Sequence, residues 1–331
     1  MFRSAPDALV ATIAFFDFFD LPLTSFEAWA FLFQYDAPAV SLGELETMLS
    51  RDQRLVSTDG YWMLIGREGI ARTRQARSAA VHQKWEITRR ASVLASRIPF
   101  LKLFAVCNTM GYGVAKEESD VDVFVVAGPG RVWTTRLLLT ALLHLARLRR
   151  HGSQIRSRIC LSFYVTTDAL SMVPLALDDG SDPYLAWWVG SVVPLVDRGA
   201  YADFITANRP FVERYRQQFP LRERPPIAVN HGAWGMGHGT RTVFEWILAG
   251  WVGDLAESLV RLLQYKKIKR SSHGKTRENR TAVVVSDHVL KFHEHDRRRA
   301  LRDQWLRRVE ELATPTAVGG FRPGGRIKNN E

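Results

Sequence analysis

The alternation of apolar and polar residues divides the chain into helical and extended stretches. Apolar residues at helical spacing predict helices at residues 6–18, 25–34 and 42–51, the second opened by the capping pair Thr24-Ser25. The following "LVSTDGYWMLIG" holds two β-rich runs around Asp59-Gly60, the pattern of a hairpin. Three helices and a hairpin predict a winged-helix-like module over residues 1–66. Residues 67–97 read as one connecting helix that ends before Pro99. "LKLFAVC" (101–107) reads as a buried strand that breaks at Asn108-Thr109, and "DVDVFVVA" (120–127) as a second strand. A helix is predicted from Arg131 to Arg150 and a third strand in "SRICLSFYV" (157–165). A loop and a Trp-rich helix follow at 178–199. Residues 200–265 read as helical with a Pro-Gly-rich interruption near 219–239, and "GGFRPGGRIKNNE" reads as a disordered tail. The fold class is therefore α+β, with a core at 98–199 and a helical, basic region at 200–331.

The chemistry concentrates where the second strand begins. Successive strand side chains point to opposite faces, so Asp120 and Asp122 share one face while Val121 and Val123 share the other. Two carboxylates aimed at one point repel, and a cation, an Arg or hydrogen bonds must compensate. Oxygen ligands on a rigid strand suit Mg²⁺, which is commonly held by one or two carboxylates and substrate phosphates. Upstream, Asn108, Thr109, Gly111 and Gly113 form a small, polar turn whose backbone amides can approach a phosphate. A phosphate cradle beside a metal clamp is a more specific combination than either part.

This arrangement resembles the nucleotidyltransferase superfamily with the DNA polymerase β type fold, in which a strand ends in Gly-Ser or Gly-Gly, a short helix follows, and the next strand bears Asp-x-Asp or Asp-x-Glu. Here Asn108-Thr109 replaces Gly-Ser. Within the superfamily the chain looks most like an uncharacterised bacterial family, through "CNT" at 107–109, "SDVD" at 119–122, Trp133 with Arg136, "CLSF" at 160–163 and "LKFH" at 290–293. The resemblance implies a nucleotidyltransferase-like mixed sheet with flanking helices. It also implies a nucleoside triphosphate bound with Mg²⁺, and a nucleotidyl group transferred to an acceptor of unidentified class, whether protein, RNA or small molecule. Asp120 and Asp122 would be catalytic and hold the metal, while Asn108, Thr109, Gly111, Ser119 and Arg136 would bind the nucleotide. Active members usually add a third carboxylate on a later strand. The matching strand here, 157–165, has no Asp or Glu, and Asp168 just beyond it is the first substitute. A catalytically silent binding or regulatory module is the alternative reading.

Composition adjusts this picture. A hydrophobic content of 46% and an aromatic content of 11% over 331 residues suit a folded protein with a substantial core. Cys107 and Cys160 fall in predicted core strands and are expected as buried, reduced thiols, which with no signal peptide pattern points to the cytoplasm. The most membrane-like window, 243–263, carries Glu245, Asp254, Glu257 and Arg261, so it is expected as a docked amphipathic helix and not a transmembrane span. The formal net charge is +11, and residues 261–310 hold fifteen Lys and Arg against six Asp and Glu. Nucleic acid could bind this basic region through phosphate contacts. The candidate recognition helix of the N-terminal module, in contrast, carries Glu44 and Glu46 with Asp52 just beyond, so a protein-contact or scaffold role is favoured there.

Other residues draw plainer readings. Arg72, Arg74, Arg77, Arg89 and Arg90 are expected on a solvated helix face. Tyr184, Trp187 and Trp188 are at helical spacing and read as core. His293, His295 and Asp296 have no partner cluster in the sequence and are assigned no metal.

Overall fold

The structure is a computed structural model and describes residues 2–216, 238–271, 283–292 and 296–314. It is a mixed α and β architecture, with eleven α-helices and eight strands among the described residues.

Side-chain caps start the first helices. Ser4 caps α1 (Ala5–Asp17), and the reciprocal pairs Thr24–Glu27 and Ser41–Glu44 cap α2 (Ser25–Ala30) and α3 (Leu42–Arg51). Helix α2 stops at Ala30 and not at 34, because the Phe33 amide donates to the Thr12 hydroxyl and the Gln34 amide to the Tyr215 carbonyl. Strands β1 (Leu55–Thr58) and β2 (Tyr61–Leu64) form the expected hairpin. Its turn places Asp59 at φ 54° and Gly60 at φ 78°, a left-handed pair that Asp-Gly adopts at low cost.

Helix α4 (Gly69–Ala95) is the connecting helix. Its start is fastened to the N-terminal helices by Arg67 on Asp17 and Asp20, by Arg74 on both oxygens of Glu27, and by Arg77 on the Phe19 and Asp20 carbonyls. Arg74 and Arg77 therefore belong to an inter-element latch and not to a solvated face. Arg72, Arg89 and Arg90 are exposed as expected.

A six-stranded sheet carries the core. Its strands are β3 (Leu101–Val106), β4 (Val121–Ala127), β5 (Ile159–Thr166), β6 (Val193–Asp197), β7 (Val283–Val285) and β8 (Val289–Phe292), in the order β6-β3-β4-β5-β8-β7. Only β4 and β5 run parallel, which requires a crossover. Helix α6 (Val132–Leu145) supplies it. That helix ends five residues before the expected Arg150, since Arg147 turns to φ 57° and Arg149 bridges Ile159 at the start of β5.

The period of two separates the sheet's faces. Phe104, Val106, Val123 and Val125 face α4, α6 and α10 (Trp251–Ser271), with Trp133 of α6 fully buried. Leu103, Ala105, Phe124, Val126 and Phe163 face the other way, against Trp188 of α7 (Pro183–Gly190) and Phe204 of α8 (Ala200–Val212). That second core continues into the N-terminal helices. Trp305 of α11 (Arg298–Ala313) packs on Phe2, Phe15 and Phe33 and donates to the Ala11 carbonyl.

The 243–263 window breaks into two helices, α9 (His238–Ile247) and α10. Glu257 on the inner side of α10 accepts the Trp133 and Thr134 amides, capping the start of α6. Trp251, Leu255, Leu259 and Leu262 are exposed on its outer side. Among the described residues, no helix is long and apolar enough to cross a membrane. His293, His295, the tail and most of the 219–239 interruption lie outside the described residues, whereas Asp296 pairs with Arg298.

Candidate functional site

The two aspartates sit together at the entrance of β4. One carboxylate oxygen from each and the Cys160 sulfur lie within 4.8 Å of one another. Register explains the third member: Cys160 pairs with Asp122 across the parallel β4–β5 ladder, so their side chains share a face. Cys160 is thus half-buried in the acidic cluster and not a core filler, while Cys107 is buried as expected and both are free thiols.

Arg150 is the compensating cation. Its guanidinium meets Asp120 at 2.5 Å, and its amide donates to the Ile159 carbonyl, which fixes it at the start of β5. Burial and the adjacent Asp122 nonetheless hold the Asp120 carboxyl above its ordinary value. Burial, and then Asp122, push the Cys160 thiol well above its own, so sulfur stands here as a thiol and not a thiolate.

The turn after β3 approaches from the side. Helix α5 (Asn108–Gly111) begins with Asn108 at φ 56°, a left-handed conformation that Asn tolerates. Its side-chain amide donates to Asp122 at 2.7 Å and accepts from the Tyr184 hydroxyl at 3.4 Å, while its backbone amide is taken by the Ser191 hydroxyl. Thr109 is half-buried, its carbonyl accepting from Val114. Gly111 has a packing reason to be glycine: a Cβ there would lie 1.8 Å from the Ser191 carbonyl oxygen. The Ser119 hydroxyl turns back to the Lys116 carbonyl.

Two expected residues are placed elsewhere. Arg136, on α6, bonds Gln264 of α10 and stacks 4.8 Å over Phe292, so its guanidinium is held between helix and sheet edge and not at the aspartates. Asp168 pairs with His288 at 3.1 Å beyond the end of β5 and is not in the cluster. Among the described residues, no third carboxylate joins Asp120 and Asp122.

Sequence patterns passed over Arg150, Cys160 and Lys84. The ammonium of Lys84, fully buried on α4, donates to the Glu117 and Ser119 carbonyls and the Ser157 hydroxyl, holding the segment that enters β4. Its one local signal is position: 84 falls with Ala80, Val81, Thr88 and Ala91 on the helix's buried stripe.

The donor set decides what cation it suits. Two carboxylates offer the oxygen donors that a hard cation takes, whereas a protonated thiol is a poor ligand for such an ion. Among the described residues, no further carboxylate stands beside this pair.

A cavity of about 250 Å³ opens on the same sheet face. Its wall includes Asn108, Phe18, Phe19, Tyr184, Trp188 and Lys291. Asn108 is shared between the cavity and the carboxylate pair. Trp187 stacks on Phe19 and Tyr112, so the Trp-rich helix serves partly as core and partly as cavity wall.

The basic C-terminal charge is largely answered within the fold where α11 is concerned. Arg298 binds Asp182 and Asp296, Arg302 binds Asp179 and Asp303, and Arg308 binds Glu311. Compared with models of known families, with curated proteins and with solved structures, the chain has no match, and the reading of its site rests on its own residues.

Proposed function

We propose that the chain is a nucleotidyltransferase-like protein that binds a nucleoside triphosphate with Mg²⁺ and transfers a nucleotidyl group to an acceptor hydroxyl. In this reading residues 98–199 form a nucleotidyltransferase-type core and residues 1–66 a winged-helix-like scaffold. The observation that carries it is the convergence of Asp120 and Asp122 on one point beside the α5 turn, in a strand–short helix–strand unit whose next strand runs parallel.

Asp120 and Asp122 would hold Mg²⁺, which neutralises phosphate charge when bound. Asn108 orients Asp122 through its side-chain amide, and Arg150 stands beside Asp120, where a guanidinium can meet phosphate oxygens bidentately. The acceptor oxygen bonds to the α-phosphorus, the bond to the β-phosphoryl bridging oxygen breaks, and pyrophosphate leaves. With no third carboxylate described in the cluster, the hydroxyl proton passes to water. Loss of a positioned base costs ~10²- to 10⁴-fold in rate. Transfer is therefore slow.

Cys160 in the place where a carboxylate is expected favours a second reading, a catalytically silent module that binds the triphosphate without turning it over. The two part in one assay: α-labelled triphosphates incubated with Mg²⁺ and with protein, RNA and small-molecule acceptors. Label on an acceptor, lost in Asp122→Asn, supports transfer. Mg²⁺-dependent binding without labelled product supports the silent module.

A further inference from the structure

We propose that the outer face of α9 and α10 is a docking surface for a membrane carrying anionic phospholipid, on which the two helices lie flat with their apolar side chains among the acyl chains. None of its residues takes part in the proposed transfer.

The polar and apolar sides of these helices are turned the reverse of the usual way. A surface helix ordinarily buries its apolar stripe and wets its polar one. On α10, Glu257 accepts the Trp133 and Thr134 amides and Gln264 donates to the Trp133 carbonyl, so polar groups share the inner side with the partly buried Val260 and Ile268. On α9, Glu245 accepts the Phe100 amide at 2.8 Å. The apolar residues stand outward. Eleven of the seventeen large apolar side chains exposed among the described residues fall between 243 and 265. Trp246 and Trp251, on either side of the turn between the helices, are 80% and 77% exposed. So concentrated an apolar patch marks a place where something binds.

The corner between the helices is built to hold this face out. Arg131, at the start of α6, donates to the Leu248 carbonyl at 3.1 Å and pairs with Asp254 at 2.7 Å. A Cβ at Gly253 would run into the same carbonyl, so glycine is what lets the two helices close there. Outward, Trp251, Leu255, Leu259 and Leu262 recur at spacings of three and four and make one stripe. Continued to Lys266, that stripe is ~22 Å long at about 1.5 Å per residue, enough to rest along a bilayer surface.

Charge selects the occupant. From Ser258 to Ser271 the sequence of α10 holds five Lys and Arg and no Asp or Glu. The acids of the two helices, Glu245, Asp254 and Glu257, are all engaged toward the fold. Lys266 is exposed one turn beyond Leu262 on the apolar stripe, where a lysine keeps its stem on acyl chains and its ammonium at the head groups. Attraction to a charged surface follows net charge, counted over paired and unpaired cations alike, and that of the chain is +11. Trp on the apolar side and basic residues beside it make up a helix that lies in the membrane interface. A second copy of the chain would instead set +11 against +11.

The test is co-sedimentation of the full chain with vesicles of phosphatidylcholine alone and of phosphatidylcholine and phosphatidylserine in equal parts, with light scattering of the free protein. Binding to the mixed vesicles should be at least ~10-fold tighter than to the neutral ones and should weaken with salt. Leu255→Glu with Leu259→Glu, at positions exposed in the fold, should abolish it, and Lys266→Glu with Lys269→Glu should remove most of the preference for the mixed vesicles. In the wild-type chain, phospholipid brominated on its acyl chains should quench tryptophan fluorescence, and Trp246→Phe with Trp251→Phe should take most of that quenching away. No sedimentation with the mixed vesicles, equal sedimentation with both, or sedimentation that Leu255→Glu with Leu259→Glu leaves unchanged overturns the surface. A dimer in light scattering that the same double variant splits assigns the face to a second copy and overturns the lipid.

Discussion

Lys84→Met tests how the aspartates are placed. The buried ammonium reaches the Glu117 carbonyl at 3.2 Å and the Ser157 hydroxyl at 3.4 Å, and it also bonds the Ser119 carbonyl, the last peptide before Asp120. Hydrogen bonds from a charged donor contribute ~1.5–3 kcal/mol each, and a carbonyl left inside without a donor costs ~1–3 kcal/mol. Methionine offsets part of this, because it removes several kcal/mol of ammonium desolvation. The balance is a loss of ~2 kcal/mol. At ~2–4 °C per kcal/mol for large domains, melting should fall by roughly 4–8 °C. The larger consequence is local. With its strand entrance released, Asp120 shifts, and in the proposed transfer a displacement of ~1 Å from the reacting geometry costs ~10²-fold in rate. Thermal unfolding and the labelled transfer assay report the two effects separately. A variant that melts and transfers as wild type does would refute the role given to Lys84.

Further predictions address the neighbours. Gly111→Ala drives a Cβ into the Ser191 carbonyl and should destabilise the chain by ~1–3 kcal/mol in denaturant unfolding. In the proposed transfer, Cys160→Asp adds a third carboxylate to the pair and should raise the rate ~10²-fold in the labelled assay; no gain would show that a base is not what limits it. Lys291 has its ammonium lowered to about 8 from 10.5, so the unfolded chain binds its proton more tightly between those values and stability rises with pH across that window. Lys291→Met should therefore remove this rise, its stability in urea unfolding staying level between pH 8 and 10.5 where that of the wild-type chain climbs.

Local patterns carried a good part of this fold. Strand alternation placed Asp120 and Asp122 on one face, Asp59-Gly60 marked its hairpin, and the 67–97 helix appears as α4 at 69–95. What local patterns left out are the groups that meet through long-range register. Cys160 reaches Asp122 only because β5 lies parallel beside β4, and Arg150 reaches Asp120 only because α6 ends at Leu145 and the chain bridges back. Arg136, one turn into α6, looks in sequence as if it reaches the aspartates. Which side of that helix meets α10 is decided by Glu257 and Gln264, more than a hundred residues away. Arg74 and Arg77 likewise look solvated in sequence, and only the docked N-terminal helices supply their partners.

The most direct test of the account is a calorimetric titration of the full chain with each nucleoside triphosphate in the presence of Mg²⁺, repeated with chelator and with the Asp120→Asn, Asp122→Asn double variant. The carboxylate pair predicts saturable binding of at least one triphosphate that chelator abolishes and the folded double variant lacks. Binding that survives both, or no binding by the wild-type chain, would contradict a metal–nucleotide site at Asp120 and Asp122.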